Sequence, residues 1–284
     1  MVKHLLSLTK LSMKFNVPFL KKANKKEDRY VVVISWGGMR GFYWWWVLKA
    51  MEKLWLKNKV DALYWVSAWW LLCAYWSAWY DAEHILEIFL NSDFLDIYKD
   101  INFMSKDSIL KNTPLKKQID RDLPKYFEKL NIPTYIWCTD TQVWQSTILS
   151  SWELCSALLG TIAIPGIFPA VKRGDEVLVD GGVTDNFPIS TAKQEFPNHK
   201  IIGISLNKYR DHPKIKNILD NLMVSFEIML RKDIEPQRSL ADYFFCRSLN
   251  TPVLEFRKAK LKEIFQLWFE DWIEELTDNY NKLL

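Results

Sequence analysis

The chain has 284 residues, 49% of them apolar, with 38 Lys and Arg against 34 Asp and Glu and a formal net charge of +4. That length and composition suffice to bury the core of one large domain. The four cysteines, Cys73, Cys138, Cys155 and Cys246, form no CxxC pair and have no His at metal-ligand spacing, which argues against a zinc site or a disulfide framework and predicts reduced thiols in a cytoplasm.

Residues 1–29 hold eight Lys and Arg against two acids, a net of +6, so the rest of the chain carries 4 − 6 = −2. This leader mixes Leu, Met and Phe with Lys, the composition of an interfacial helix, and fits either peripheral contact with a membrane surface or a frayed, solvated segment, with no nucleic-acid partner expected. Lys10 and Lys14 interrupt its apolar stretch, so it is not read as a signal peptide. From residue 30 the pattern predicts one domain reaching 284. A β-branched strand at 30–35 is followed by a helix at 41–56, a strand at 60–66 and helices at 68–91. The uncharged run 62–80 is about long enough to span a bilayer, but a serine at a strand-to-helix junction explains it better. Residues 92–130 are polar with helical period and read as a cap or lid. Strands follow at 133–139, 145–150, 177–180 and 200–206, and from 213 onward the pattern is helical, ending in an amphipathic helix at 258–280. Such alternation predicts an α/β domain with a largely parallel sheet.

Fifteen Trp against nine Gly is an unusual pair of counts, since glycine averages about 7% of residues. Trp44, Trp45 and Trp46 are consecutive, Trp69 adjoins Trp70, and Trp36 abuts Gly37 and Gly38. Replacing these Trp by glycine makes each stretch read as ordinary turn-forming backbone. The placement predicts that many of them are UGA codons decoded as glycine in the cell and written as Trp by another codon table.

Three segments carry the chemistry. In VVVISWGGMRG, a strand runs into Gly37, Gly38 and Gly41 ahead of a helix, so backbone N–H groups can converge on an anion. That suits either a phosphate or the oxyanion of an acyl-transfer intermediate. A dinucleotide site is disfavoured, because Asp61 begins the second strand instead of ending it. In Trp65-Val66-Ser67-Ala68-Trp69, glycine at 65 and 69 would give GxSxG, the turn that presents a serine nucleophile at a helix start; as written, two indoles would crowd that turn. In VLVDGGVTDNFPIS, a strand delivers Asp180 to its end, and Gly181 and Gly182 turn the chain away. A hydroxyl nucleophile needs a base. Only His199 and His212 follow Asp180, both in surface-like contexts, so a Ser67–Asp180 dyad outranks a triad. Asp185 and Asn186 follow Asp180 closely enough to sit near the site, but Asn186-Phe187-Pro188 reads more naturally as a turn, and Asp140 as structural.

With these motifs in place, the chain resembles the patatin-like phospholipase family, in its compact bacterial form. The family's GGGx(R/K)G loop matches Trp36, Gly37, Gly38, Met39, Arg40 and Gly41 once Trp36 is read as glycine. Its GxSxG matches Trp65, Val66, Ser67, Ala68 and Trp69 on the same terms, and its DGG matches Asp180, Gly181 and Gly182 unaltered. Trp144 and Trp152 also fall at expected glycines, while Thr161 stands where a serine is usual. The resemblance implies a three-layer α/β/α fold and cleavage of fatty-acyl esters. Ser67 would be the nucleophile, Asp180 its base, and Gly37, Gly38 and Arg40 the oxyanion hole, with a lipid substrate and no metal or organic cofactor. The alternative is a lipid- or membrane-binding protein without activity, should the written Trp be genuine.

Overall fold

The computed structural model describes residues 28–37, 44–53, 55–67, 70–92, 108–205 and 215–246. The basic leader, the helix expected at 258–280 and most of the first half of the expected cap lie outside them.

The first strand, β1 (Tyr30–Ile34), is buried along its whole length and leads to helix α1 (Trp44–Lys53). Strand β2 (Val60–Val66) occupies the residues its pattern predicts. It is followed by α2 (Trp70–Ser77) and α3 (Ala82–Asn91), the latter capped by Asp81, whose carboxylate accepts the His84 N–H at 2.8 Å. The uncharged run 62–80 is thus divided between a strand and a helix, and among the described residues no helix is long and apolar enough to cross a membrane. Helix α4 (Thr113–Asp122) buries Leu115 and Ile119. Strands β3 (Thr134–Asp140) and β4 (Gln145–Leu149) form a hairpin, and helix α5 (Leu154–Thr161) follows. Next come the short β5 (Val171–Arg173), then β6 (Glu176–Asp180), α6 (Ile189–Glu195) and β7 (Lys200–Ser205). The described chain ends with α7 (Ile218–Leu230), α8 (Ile234–Arg238) and β8 (Tyr243–Cys246).

The strands form one sheet in the order β5-β6-β3-β2-β1-β7-β8, with β4 also on β3. Pairing is parallel from β3 through β2, β1 and β7 to β8, and antiparallel where β4 and β6 meet β3 and where β5 meets β6. Side chains alternate between two apolar layers, as strand period requires. Val32, Ile34, Leu63, Trp65 and Ile136 face a core that includes Leu48, Leu72, Leu86 and Leu158 of α1, α2, α3 and α5, while Val31, Val33, Tyr64 and Val66 face Ile189 and Ala192 of α6. The architecture is therefore α/β/α with a largely parallel centre, as expected. One reading is corrected: the stretch after 213 is not wholly helical, because Tyr243–Cys246 adds an edge strand parallel to β7. Four residues with no alternation of burial leave no period-2 signal to find.

Candidate functional site

One detail of register builds the site. Strand β4 occupies one edge of β3 from Ile136 to Asp140. The other edge is shared end to end: β2 pairs with Thr134–Trp137, and β6 runs in from the opposite direction to pair with Cys138–Asp140. Val66 is opposite Trp137 and Asp180 is opposite Cys138, so the carboxyl ends of β2 and β6 meet. Residues 67 and 180 are neighbours because two strands stop at adjacent rungs.

Ser67 takes φ +67°, a left-handed conformation that turns the chain sharply off the end of β2. Its Oγ donates to Asp180 Oδ2 at 2.5 Å, with both residues fully buried. That length belongs to a hydroxyl bonded to a charged oxygen. The Asp180 Oδ1 accepts the Gly182 N–H at 2.8 Å, so one carboxylate oxygen is fixed by backbone and the other is committed to the serine. Burial pushes the Asp180 carboxyl up to about 7, against the lowering effect of these two hydrogen bonds. The turn after it needs glycine: a Cβ at Gly181 would collide with the Trp137 carbonyl.

Two buried polar side chains hold the backbone around this pair, in roles that the sequence does not reveal. Thr161, at the end of α5, accepts the Ser67 N–H at 2.8 Å and donates to the Trp137 carbonyl at 2.6 Å through the same Oγ1. Asn186 accepts the Trp36 N–H at 2.9 Å through Oδ1 and donates to the Leu230 carbonyl at 3.0 Å through Nδ2. It therefore ties the start of the glycine-rich loop to the end of α7. Asp185 does form the expected turn, accepting the Phe187 N–H at 2.9 Å, but Asn186 is a buried bridge. Its partners are backbone groups distant in sequence, which leave no local motif.

The glycine-rich loop leaves β1 beside the serine turn. Ile34 pairs with Trp65, so Trp36 and Gly37 emerge next to Ser67, at the carboxyl ends of adjacent parallel strands, where open α/β sheets place their ligands. Gly37 is buried there; Gly38, Met39, Arg40, Gly41, Ala68 and Trp69 lie outside the described residues. Val66 faces the α6 side and Trp65 the opposite core. The indole at 65 accordingly does not stand between Ser67 and Asp180, contrary to the expectation that it would block the turn. Its burden falls elsewhere, since its N–H is buried without a hydrogen-bond partner.

The histidines stay out of the site among the described residues. His199 Nε2 lies 2.8 Å from Asp61 Oδ2, near the start of β2, with Arg29 Nε donating to the same oxygen at 2.7 Å. Six residues of strand separate Asp61 from Ser67, roughly 20 Å. His84 lies 2.8 Å from Asp81 at the start of α3, and His212 is outside the described residues. Asp140 is structural, its Oδ1 accepting the N–H groups of Gln142 at 2.9 Å and Val177 at 3.2 Å.

A family model described as patatin-like phospholipase matches residues 32–193, from β1 into α6. A probable lipid hydrolase of Invertebrate iridescent virus 6 is 26% identical in an alignment of 183 positions that covers 57% of this chain and 62% of that protein. Among solved structures, VipD from Legionella pneumophila aligns over 66% of this chain and 51% of its own, with 12% identity and a TM-score of 0.45.

Proposed function

Starting from the fact that the chain belongs to the patatin-like phospholipase family, we propose that it is a lipid acyl hydrolase in which Ser67 and Asp180 form the catalytic dyad. The observation that carries this is the 2.5 Å contact between Ser67 Oγ and a buried carboxylate whose affinity for protons is raised to about 7. A carboxylate at its ordinary value is too weak a base to activate a hydroxyl near neutral pH, and one poised near 7 is suited to take a proton and return it.

In the proposed reaction, Ser67 Oγ attacks the carbonyl carbon of a fatty-acyl ester while Asp180 Oδ2 takes its proton. The tetrahedral intermediate collapses, the C–O bond to the alcohol breaks, and the Asp180 carboxyl protonates the departing alcohol. Water then loses a proton to Asp180 and attacks the acyl-serine; when that intermediate collapses, Ser67 recovers the proton and the fatty acid leaves. The Ser67 amide is already held by Thr161, so stabilisation of the oxyanion falls to the glycine-rich loop: the amides of Gly37 and Gly38 together with Arg40. Losing one such donor typically costs about 100- to 1000-fold in rate. The basic leader would draw the enzyme to a lipid surface on the cytoplasmic side.

The test is hydrolysis of p-nitrophenyl acyl esters and phospholipids, with Ser67→Ala and Asp180→Asn as comparisons. Loss of turnover in both supports the dyad. Full activity in Ser67→Ala refutes it, and a protein that binds lipid vesicles but turns over no ester favours the inactive lipid-binding alternative.

A further inference from the structure

Among the described residues, five that are not glycine have a positive φ: Trp55 at 58°, Ser67 at 67°, Trp79 at 74°, Trp144 at 60° and Trp152 at 72°. One is the candidate nucleophile, where backbone strain has a function. The other four are all tryptophan. Only a few per cent of non-glycine residues adopt this region, and those are enriched in Asn and Asp rather than in bulky aromatics.

The hydrogen bonds at two of these positions define what residue belongs there. After α1, the Leu56 N–H reaches the Met51 carbonyl at 2.8 Å and the Trp55 N–H reaches the Glu52 carbonyl at 3.0 Å. After α2, the Tyr80 N–H reaches the Tyr75 carbonyl at 3.0 Å and the Trp79 N–H reaches the Trp76 carbonyl at 3.1 Å. Both are paired six-to-one and five-to-two closures, and the left-handed residue of such a helix end is usually glycine. Trp144 closes the β3–β4 hairpin, donating to the Asp140 carbonyl at 2.9 Å, and Trp152 donates its N–H to Glu128 Oε1 at 3.1 Å. The turns thus use the backbone of these residues. Their side chains are mostly in solvent, with Trp55, Trp79, Trp144 and Trp152 exposed by 77, 49, 86 and 73%. Trp79 also has the Lys57 ammonium 5.0 Å from its ring centre.

We infer that the working protein carries glycine, not tryptophan, at positions 55, 79, 144 and 152, and by the same decoding at 36, 65 and 69, which fall on the glycine positions of the two motifs that the chain resembles. A UGA codon differs from the tryptophan codon UGG only in its third base and from the glycine codon GGA only in its first. A glycine-charged tRNA with the anticodon UCA would produce this substitution wherever UGA occurs. The composition agrees, since 15 Trp and 9 Gly together are 24 of 284 residues, about 8% and close to an ordinary glycine content. Three features are explained together: the left-handed conformations, the exposure of the aromatic residues and the shortage of glycine. The buried, unpartnered indole N–H at Trp65 ceases to exist with glycine there. A further consequence concerns expression: under the standard code, UGA at position 36 would stop synthesis before Ser67 is reached. The inference concerns what the ribosome inserts and stands whether or not Ser67 cleaves esters.

Peptide mass spectrometry of the protein purified from its own cells, across residues 55, 79, 144 and 152, is the direct test. Glycine masses at all four are expected, and tryptophan masses there would overturn the inference. A second test uses single variants of the chain as written. Trp144→Gly should raise Tm by roughly 2–4 °C by relieving the left-handed strain, while Trp144→Ala, which keeps a Cβ, should not. A Trp144→Gly protein no more stable than Trp144→Ala would count against it. Should the chain as written fail to fold, the same comparison is made in reverse, by placing Trp at 144 in an otherwise glycine-restored protein and looking for the corresponding loss in Tm.

Discussion

Thr161→Val isolates the brace under the candidate nucleophile. The two side chains have nearly the same shape, so the change removes one oxygen and little else. That oxygen makes two buried hydrogen bonds, accepting from the Ser67 N–H at 2.8 Å and donating to the Trp137 carbonyl at 2.6 Å. Without it the Ser67 N–H is left inside the protein with no acceptor, which costs about 1–3 kcal/mol. For a chain of this size that is a fall in Tm of roughly 2–12 °C. The same oxygen helps hold Ser67 at φ +67°, a conformation that itself costs about 1–3 kcal/mol and persists only when its surroundings fix it. If relaxation of the turn raises the barrier by even half of that strain, kcat falls by about two- to thirteenfold, and by on the order of a hundredfold if nearly all of a strain of about 3 kcal/mol is released. KM for a soluble ester should change little, because Thr161 is fully buried beneath the turn. Thr161→Ser keeps the oxygen and should retain most of the rate. The assays are thermal unfolding and steady-state hydrolysis of a p-nitrophenyl ester. A Thr161→Val enzyme with unchanged kcat and Tm refutes the argument, and a Thr161→Ser enzyme as impaired as Thr161→Val shows that packing, not the hydroxyl, is what counts.

The raised proton affinity of Asp180 makes activity and stability respond to pH in opposite directions. Its folded value of about 7 lies above the ordinary 3.8, so the folded state holds the extra proton between those values. Stability therefore falls as pH rises from about 4 through about 7, by at most about 1.4 kcal/mol per pH unit, while kcat rises with ionisation of the carboxyl; Asp180→Asn should abolish turnover and flatten the stability profile in unfolding experiments across that range. Asn186→Ala removes the side-chain acceptor of the Trp36 N–H and the donor to the Leu230 carbonyl and should destabilise by about 1–3 kcal/mol, with a loss of kcat because the start of the glycine-rich loop is released; unchanged kinetics alongside the lower Tm would limit Asn186 to a structural role. His199→Ala should leave the pH–rate profile unaltered, since that ring is bonded to Asp61 far from Ser67, and a loss of turnover would return a histidine to the mechanism.

Much of the site is legible from the sequence because its chemistry is local. A strand running into a small-residue turn at Ser67, and another delivering Asp180 to two glycines, leave their marks within ten residues each. β2 is found where its pattern places it for the same reason. The meeting of the two residues is not local: it depends on β6 entering antiparallel and sharing an edge of β3 with β2. Neither segment contains that register. Thr161 and Asn186 are hidden for a related cause, since their partners are main-chain groups that any sequence supplies. Strands β5 and β8, of three and four residues, are too short for alternation to register.

The proposed dyad works without a histidine because of where Asp180 sits. A solvated aspartate near 4 would be about a thousandfold weaker as a base than one near 7. In hydroxyl nucleophiles activated by imidazole, a second side chain closes that gap; here the sheet does it by burying the carboxylate completely. Burial alone would continue upward until the group stayed protonated and could no longer accept a proton. The Gly182 N–H and the Ser67 hydroxyl oppose it by stabilising the charged form. The glycines after Asp180 thus do two things: they let the chain turn under the Trp137 carbonyl, and they bring a backbone donor onto Oδ1. Replacing Gly182 by a larger residue would disturb the proton affinity of the base as well as the packing, because a Cβ there would come within 2.7 Å of the Leu230 side chain and 3.1 Å of Asp180 Oδ1. Strand register sets the position of the carboxylate, burial raises its basicity, and the turn after it holds that rise in check, so the proposed dyad depends on all three.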